Sequence, residues 1–226
     1  MNLNHPSVNM IEVVAEALGE LKDEVVFVGG STLALYLDDE GAQQPRPTED
    51  VDCVIELANY GAYSKLETKL RAKGFQNCIE GPVCRWIIKR VIVDVMPTDP
   101  KILGFSNRWY KEGMENSVQA ILPSGRNIRI FSQPYFVAAK IEAYIGRGQN
   151  DFRTSHDIED MVTLLDGITS FDQFSDAPVS VKTHLQEKFQ EYLKEDLFLE
   201  SISGHLEQGS GNAERSKRIL DWMERY

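Results

Sequence analysis

Apolar positions at the start of the chain change their spacing twice, and each change marks an element. Ile11, Val14, Ala15 and Leu18 recur at helical intervals within residues 7–22, so an amphipathic helix is predicted there, broken at Lys22, Asp23 and Glu24. Val25-Val26-Phe27-Val28 is then a continuous β-branched and aromatic run closed by Gly29-Gly30, the pattern of a short buried strand. A second helix is predicted from Ser31, whose hydroxyl can cap its first amides. Residues 40–47 (EGAQQPRP) read as a loop from their Gly and Pro content.

Asp50 to Leu57 reads as a second strand, Tyr63 to Lys73 as a helix stopped by Gly74, and Arg85 to Met96 as one or two strands halted by Pro97. Residues 117–132 form a hairpin pattern turning at Pro123-Ser124-Gly125. From residue 134 the periodicity is helical almost throughout, in stretches 134–148, 155–167 and 181–198 and a last helix ending at Tyr226. The expected fold class is α+β: a small mixed sheet flanked by helices over residues 1–132, then a helical domain over 133–226.

Composition adds limits. The chain has 226 residues, 42% of them hydrophobic, enough to bury a real core. Its three cysteines, Cys53, Cys78 and Cys84, have no metal-type spacing and lie in or beside strands, which predicts a reducing, cytoplasmic location. No apolar run reaches the ~18 residues of a membrane span, so no membrane partner is expected. The net charge of −11 disfavours broad nucleic-acid affinity, although residues 85–130 hold eight Lys/Arg against four Asp/Glu. That excess can serve a phosphate-bearing ligand or simply be a solvated face.

Three features can carry chemistry. The strand running into Gly29, Gly30 and Ser31 and then a helix brings free amides to one point, suited to an anion, although a plain tight turn has the same pattern. Asp50 and Asp52 are two apart on a strand and face the same way, as a hard divalent cation requires; a surface acidic pair is the alternative. Asp94 sits inside Val91–Met96, where an ionised acid needs a partner, either a metal or a cation such as Arg90 or Lys89. Further along, Asp157 and Asp160 share the inner side of a helix with Met161, Leu164 and Leu165, and Lys140 shares a stripe with Tyr144 and Arg147. Thr154 and Asp157 also have capping-box spacing, and Lys140 can hold phosphate or pair with either aspartate. Trp109 and Tyr110, beside Arg108, can stack on a base or pack onto the sheet.

In this order, Gly29-Gly30-Ser31, Arg46-x-Thr48-x-Asp50-x-Asp52 and a later strand aspartate, Asp94, resemble the minimal nucleotidyltransferases of the DNA polymerase β-like superfamily. Lys140 and the run His156-Asp157-Ile158-Glu159-Asp160 resemble the AbiEii/MenT-type branch of type IV toxin–antitoxin systems. The likeness spans roughly residues 25–166. It departs in a longer gap between Gly30 and Asp50 and in His156, where the branch usually has Arg.

The resemblance implies an NTP substrate and Mg²⁺ or Mn²⁺ held by Asp50, Asp52 and Asp94, with Asp94 as third ligand or base. It implies a nucleotide cradle of Gly29, Gly30, Ser31, Thr48, Lys140 and Asp160, with Lys140 and Asp157 in the catalytic set. The acceptor would be a tRNA 3′ end, with the chain acting as a toxin beside a cognate antitoxin. The alternatives are an antibiotic-modifying enzyme, with Asp157, Glu159, Asp160 and Asp166 drawing in a polycationic substrate, and a non-catalytic nucleotide-binding scaffold.

Overall fold

The computed structural model describes residues 4–147, 151–209 and 211–226. The chain forms two compact units. One runs to Leu35 and resumes over Arg46–Ser132; the other joins Tyr36–Pro45 to Gln133–Tyr226. The fold is mixed α+β, as the periodicities require, but the 36–45 stretch groups with the helices and not with the sheet.

The sheet unit opens with α1 (Pro6–Leu18), which buries Val8, Ile11, Val14, Ala15 and Leu18. The helix ends at Gly19, whose positive φ of 56° suits glycine, and a 3-10 turn continues to Asp23 in place of the predicted α-helical tail. Strands β1 (Val25–Val28) and β2 (Asp50–Ile55) precede α2 (Tyr60–Ala72). The strands β3 (Gln76–Asn77), β4 (Arg85–Ile88) and β5 (Val91–Pro97) come next. Short helices α3 (Pro100–Leu103) and α4 (Tyr110–Glu115) lead to the hairpin β6 (Val118–Ile121) and β7 (Asn127–Ile130).

These strands make one sheet in the order β3-β4-β5-β2-β1-β7-β6. β2 runs parallel to β5 and antiparallel to β1, which places β2 at the centre. A four-residue β1, all of it buried, is the signature of a strand covered on both faces.

The helical unit consists of α5 (Gln133–Gly146), α6 (His156–Gly167), α7 (Asp172–Ser175), α8 (Val179–Tyr192), α9 (Asp196–His205) and α10 (Asn212–Arg225). Gly148, where the predicted first helix ended, lies outside the described residues. Residues 171–226, beyond the stretch that carries the family likeness, supply the aromatic centre of this unit. Trp222 stacks on Phe171 and Tyr226 at 4.3 and 5.1 Å and meets Phe174 and Phe189 edge-on. Segment 36–45 is tied to the end of α6: the amides of Asp38 and Asp39 donate to the Gly167 carbonyl at 2.9 and 3.0 Å. A Cβ on Gly167 would stand 2.5 Å from the Leu37 side chain, so glycine is what permits this contact. Among the described residues no helix is long and apolar enough to cross a membrane.

Candidate active site

The central strands gather the first three candidate acids. In the register of the sheet, Asp52 is the partner of Asp94 on one side and of Val28 on the other. In-register neighbours of a sheet present their side chains to the same face, and residues two apart along a strand share it. Asp50, Asp52 and Asp94 therefore share one face of the sheet: the period of two predicted this for Asp50 and Asp52, and the β2–β5 register adds Asp94. Asp94 is only 7% exposed.

Gly29 ends β1 at the same place. Its φ is +73°, and a Cβ built on it would lie 2.2 Å from Oδ2 of Asp52. The chain can turn there and let the carboxylate approach only because no side chain is present. The following segment, Gly30–Leu35, is a six-residue 3-10 helix and not the longer α-helix expected. Ser31 is buried and its hydroxyl donates to the Val28 carbonyl at 3.4 Å, so it does not cap the helix as predicted. So short a helix sums few peptide dipoles, and the pull on an anion expected of a full helix is correspondingly small. The Thr48 hydroxyl lies 3.3 Å from the Ser7 hydroxyl and donates to the Asp50 carbonyl, also at 3.3 Å, buttressing the start of β2.

The partner of Asp94 is neither Arg90 nor Lys89. Lys89 and Arg90 form the loop of the β4–β5 hairpin, both with positive φ, 45° and 71° respectively. The hairpin sets Arg85 directly opposite Asp94. Arg85 donates from Nε to Oδ1 at 2.9 Å and from Nη2 to Oδ2 at 2.7 Å of Asp94, and from Nη2 to Asp50 Oδ2 at 3.2 Å. A planar guanidinium fork on a carboxylate is the strong form of this interaction. By sequence Arg85 is the first residue of a predicted strand and one of eight basic residues over 85–130, and neither role marks it as the partner of Asp94. Its signal was symmetry about the Lys89-Arg90 pair, which lacks the Asn-Gly or Asp-Gly residues that normally mark such a loop.

The electrostatics follow from this crowding. Burial, and then the negative charge of Asp94, push the Asp50 carboxyl above its ordinary value, with Arg85 opposing. The hydrogen bond to Asp94 raises Arg85 further, so its guanidinium stays charged. Cys53 is buried and its thiol is pushed well up, while burial and the nearby Asp94 raise Cys84 to about 12; both are poor nucleophiles. As donors the three aspartates suit Mg²⁺ or Mn²⁺. As arranged they do not fit one: Asp94 gives both oxygens to Arg85, and among the described residues no three His, Cys, Asp or Glu side chains are grouped to hold a metal ion.

In the helical unit Lys140 approaches Asp160 Oδ2 at 2.5 Å and Asp157 Oδ1 at 3.3 Å, and Arg147 bonds Asp157 Oδ2 at 2.6 Å. Both aspartates are 1% exposed, so their inward orientation is as expected. The α6 cap is Ser155, whose hydroxyl accepts from the Ile158 amide, while Thr154 turns to Asp151; the Thr154–Asp157 capping box does not form. His156 pairs with Glu159 at 3.0 Å. Asp166 is held by Arg215 at 2.7 Å and Arg218 at 3.2 Å. Asp157, Asp160 and Asp166 are therefore paired with Lys or Arg within the unit and Glu159 with His156, and the four do not form the open acidic cleft envisaged for a polycation. In the sheet unit Trp109 is 3% exposed with Arg108 over its ring at 4.7 Å, and Tyr110 meets Phe131 edge-on, so this aromatic pair packs inward.

No protein-family model matches the chain, and no curated protein matches it. Solved structures do. The solution structure of the antibiotic-resistance factor ANT(2'')-Ia aligns with a TM-score of 0.50 at 14% identity, over 81% of this chain and 93% of that one. The crystal structure of ANT(2'')-Ia in complex with adenylyl-2''-tobramycin aligns at 0.45 and 14% identity, over 79% and 94%. At this identity the first likeness is one of fold.

Proposed function

We propose that the chain is a nucleotidyltransferase that moves a nucleoside monophosphate from an NTP to a hydroxyl of a small polycationic acceptor. The observation that carries this reading is the register that sets Asp52 beside Asp94, with Gly29 cut back to make room for the Asp52 carboxylate. In the transfer the acceptor hydroxyl attacks the α-phosphorus in line as the bond from that phosphorus to the bridging oxygen of the β-phosphate breaks and pyrophosphate leaves, and Asp94, once released by Arg85, is the carboxylate assigned to accept the hydroxyl proton. Asp50 and Asp52 line the same face, where carboxylates suit the cationic groups of such an acceptor. The shared fold with an antibiotic-resistance factor supports a small-molecule acceptor.

Charge distribution supports it too. Segments 36–45 and 133–226 hold ten Lys/Arg against twenty Asp/Glu, so ten of the eleven net negative charges belong to the helical unit. A field of that sign concentrates polycations and repels RNA. The tRNA end and antitoxin implied by the AbiEii/MenT likeness have less support. Within the basic run, Arg85, Lys89, Lys111 and Arg126 pair with acids, and Arg129 bonds backbone carbonyls.

The test is incubation with each α-labelled NTP and Mg²⁺, against a panel of aminocyclitol and polyamine alcohols and, in parallel, total tRNA. Label on a small polycation supports the proposal. Label on tRNA alone replaces it with the toxin reading, and label on neither in any combination removes both.

A further inference from the structure

Arg85 holds two of the three carboxylates at once, and its own backbone is held from several sides. Its amide donates to the Pro82 carbonyl at 2.9 Å, its carbonyl accepts from the Cys78 amide at 3.1 Å, and the Tyr63 hydroxyl fixes Val83 at 3.2 Å. The loop between β3 and β4 lies on its stem: a Cβ on Gly81 would stand 2.9 Å from Arg85 Cδ. The side chain is thus placed by its surroundings, and its fork is spent on oxygens that a divalent cation would need.

We infer that Arg85 is a positioning residue that keeps the aspartate face closed to divalent cations until it releases Asp94. The inference rests on the nucleotidyl-transfer reading, and it accounts for a donor set of suitable chemistry whose oxygens are taken up by a guanidinium. One guanidinium and one divalent ion compete for the same three oxygens, so whatever loosens Arg85 favours the ion. Gly81 belongs to this device, because a side chain there would press on the Arg85 stem.

The experiment titrates the protein with Mn²⁺ alone and follows the paramagnetic resonance of the free ion. Arg85→Gln removes the competing charge and is expected to bind Mn²⁺ about tenfold more tightly or better. In the double variant Arg85→Gln/Asp94→Asn that gain disappears. Gly81→Ala, which keeps the charge but pushes on the Arg85 stem, is expected to tighten binding by a smaller factor. Equal or weaker Mn²⁺ binding by a natively folded Arg85→Gln overturns the inference, since Arg85 would then merely organise the carboxylates. Should Arg85→Gln not fold, Gly81→Ala decides: unchanged or weaker binding overturns it equally. Absence of transfer by every protein, with the Mn²⁺ pattern as expected, removes the functional reading and leaves the latch standing.

Discussion

Gly29→Ala separates the cost of a strained backbone from the cost of a displaced carboxylate. A residue with a side chain at φ +73° costs about 1–2 kcal/mol. At roughly 2–4 °C per kcal/mol for a chain of this length, the melting midpoint should fall by about 2–8 °C. The added Cβ would also lie 2.2 Å from Asp52 Oδ2, while Cγ and Cβ of Asp52 stand at 3.1 and 3.2 Å. Restoring ordinary contact moves the carboxylate oxygen by about 1 Å, a displacement that can cost on the order of 10²-fold in rate. Gly125→Ala is the control: its φ is +80° and nothing lies within 4 Å of the added Cβ. Both variants should lose similar stability by thermal denaturation, and only Gly29→Ala should lose transfer of labelled NMP. A Gly29→Ala protein as active as the parent, or a Gly125→Ala protein equally inactive, would refute the placement of Asp52.

Asp50→Asn is expected to melt above the parent at pH 7. Burial and Asp94 raise the Asp50 carboxyl in the folded chain, so its contribution to stability is full below the unfolded value and is lost as pH rises through the folded one. Asparagine stays neutral, so the gap between the two midpoints should close as pH falls toward 4; no gap at pH 7 contradicts the assignment. Lys140→Met should cost about 3–5 kcal/mol in denaturant unfolding, because it leaves Asp157 and Asp160 buried with less compensation. Adding Asp160→Asn should recover part of that loss, a coupling of ~1–3 kcal/mol, whereas strict additivity would show the pair to be inert. If the acidic field draws in the acceptor, KM for a polycation should rise with salt while kcat holds; a salt-independent KM counts against it.

How much of this could be read in advance depended on the range of the interactions. The shared face of Asp50 and Asp52, and the place of Asp94 opposite Val91, Val93 and Val95, follow from a period of two and were legible. Gly29 was legible as a turn, but its contact with Asp52 depends on a strand pairing across 23 positions of sequence. Arg85 was missed because Lys89 and Arg90 adopt a hairpin loop without its customary residues. Ser31 was misread because local capping chemistry yielded to a 3-10 turn closing on Val28. The grouping of residues 36–45 with the helices rests on Gly167 and Asp38, contacts of the folded chain that no local pattern announces.

The most direct test compares the parent with Asp52→Asn, a substitution that keeps shape and removes charge, in single-turnover transfer from labelled NTP. The structure predicts a fall of about 10²-fold or more with an unchanged melting profile. Transfer at the parental rate would mean that the carboxylate facing Asp94 takes no part in the reaction.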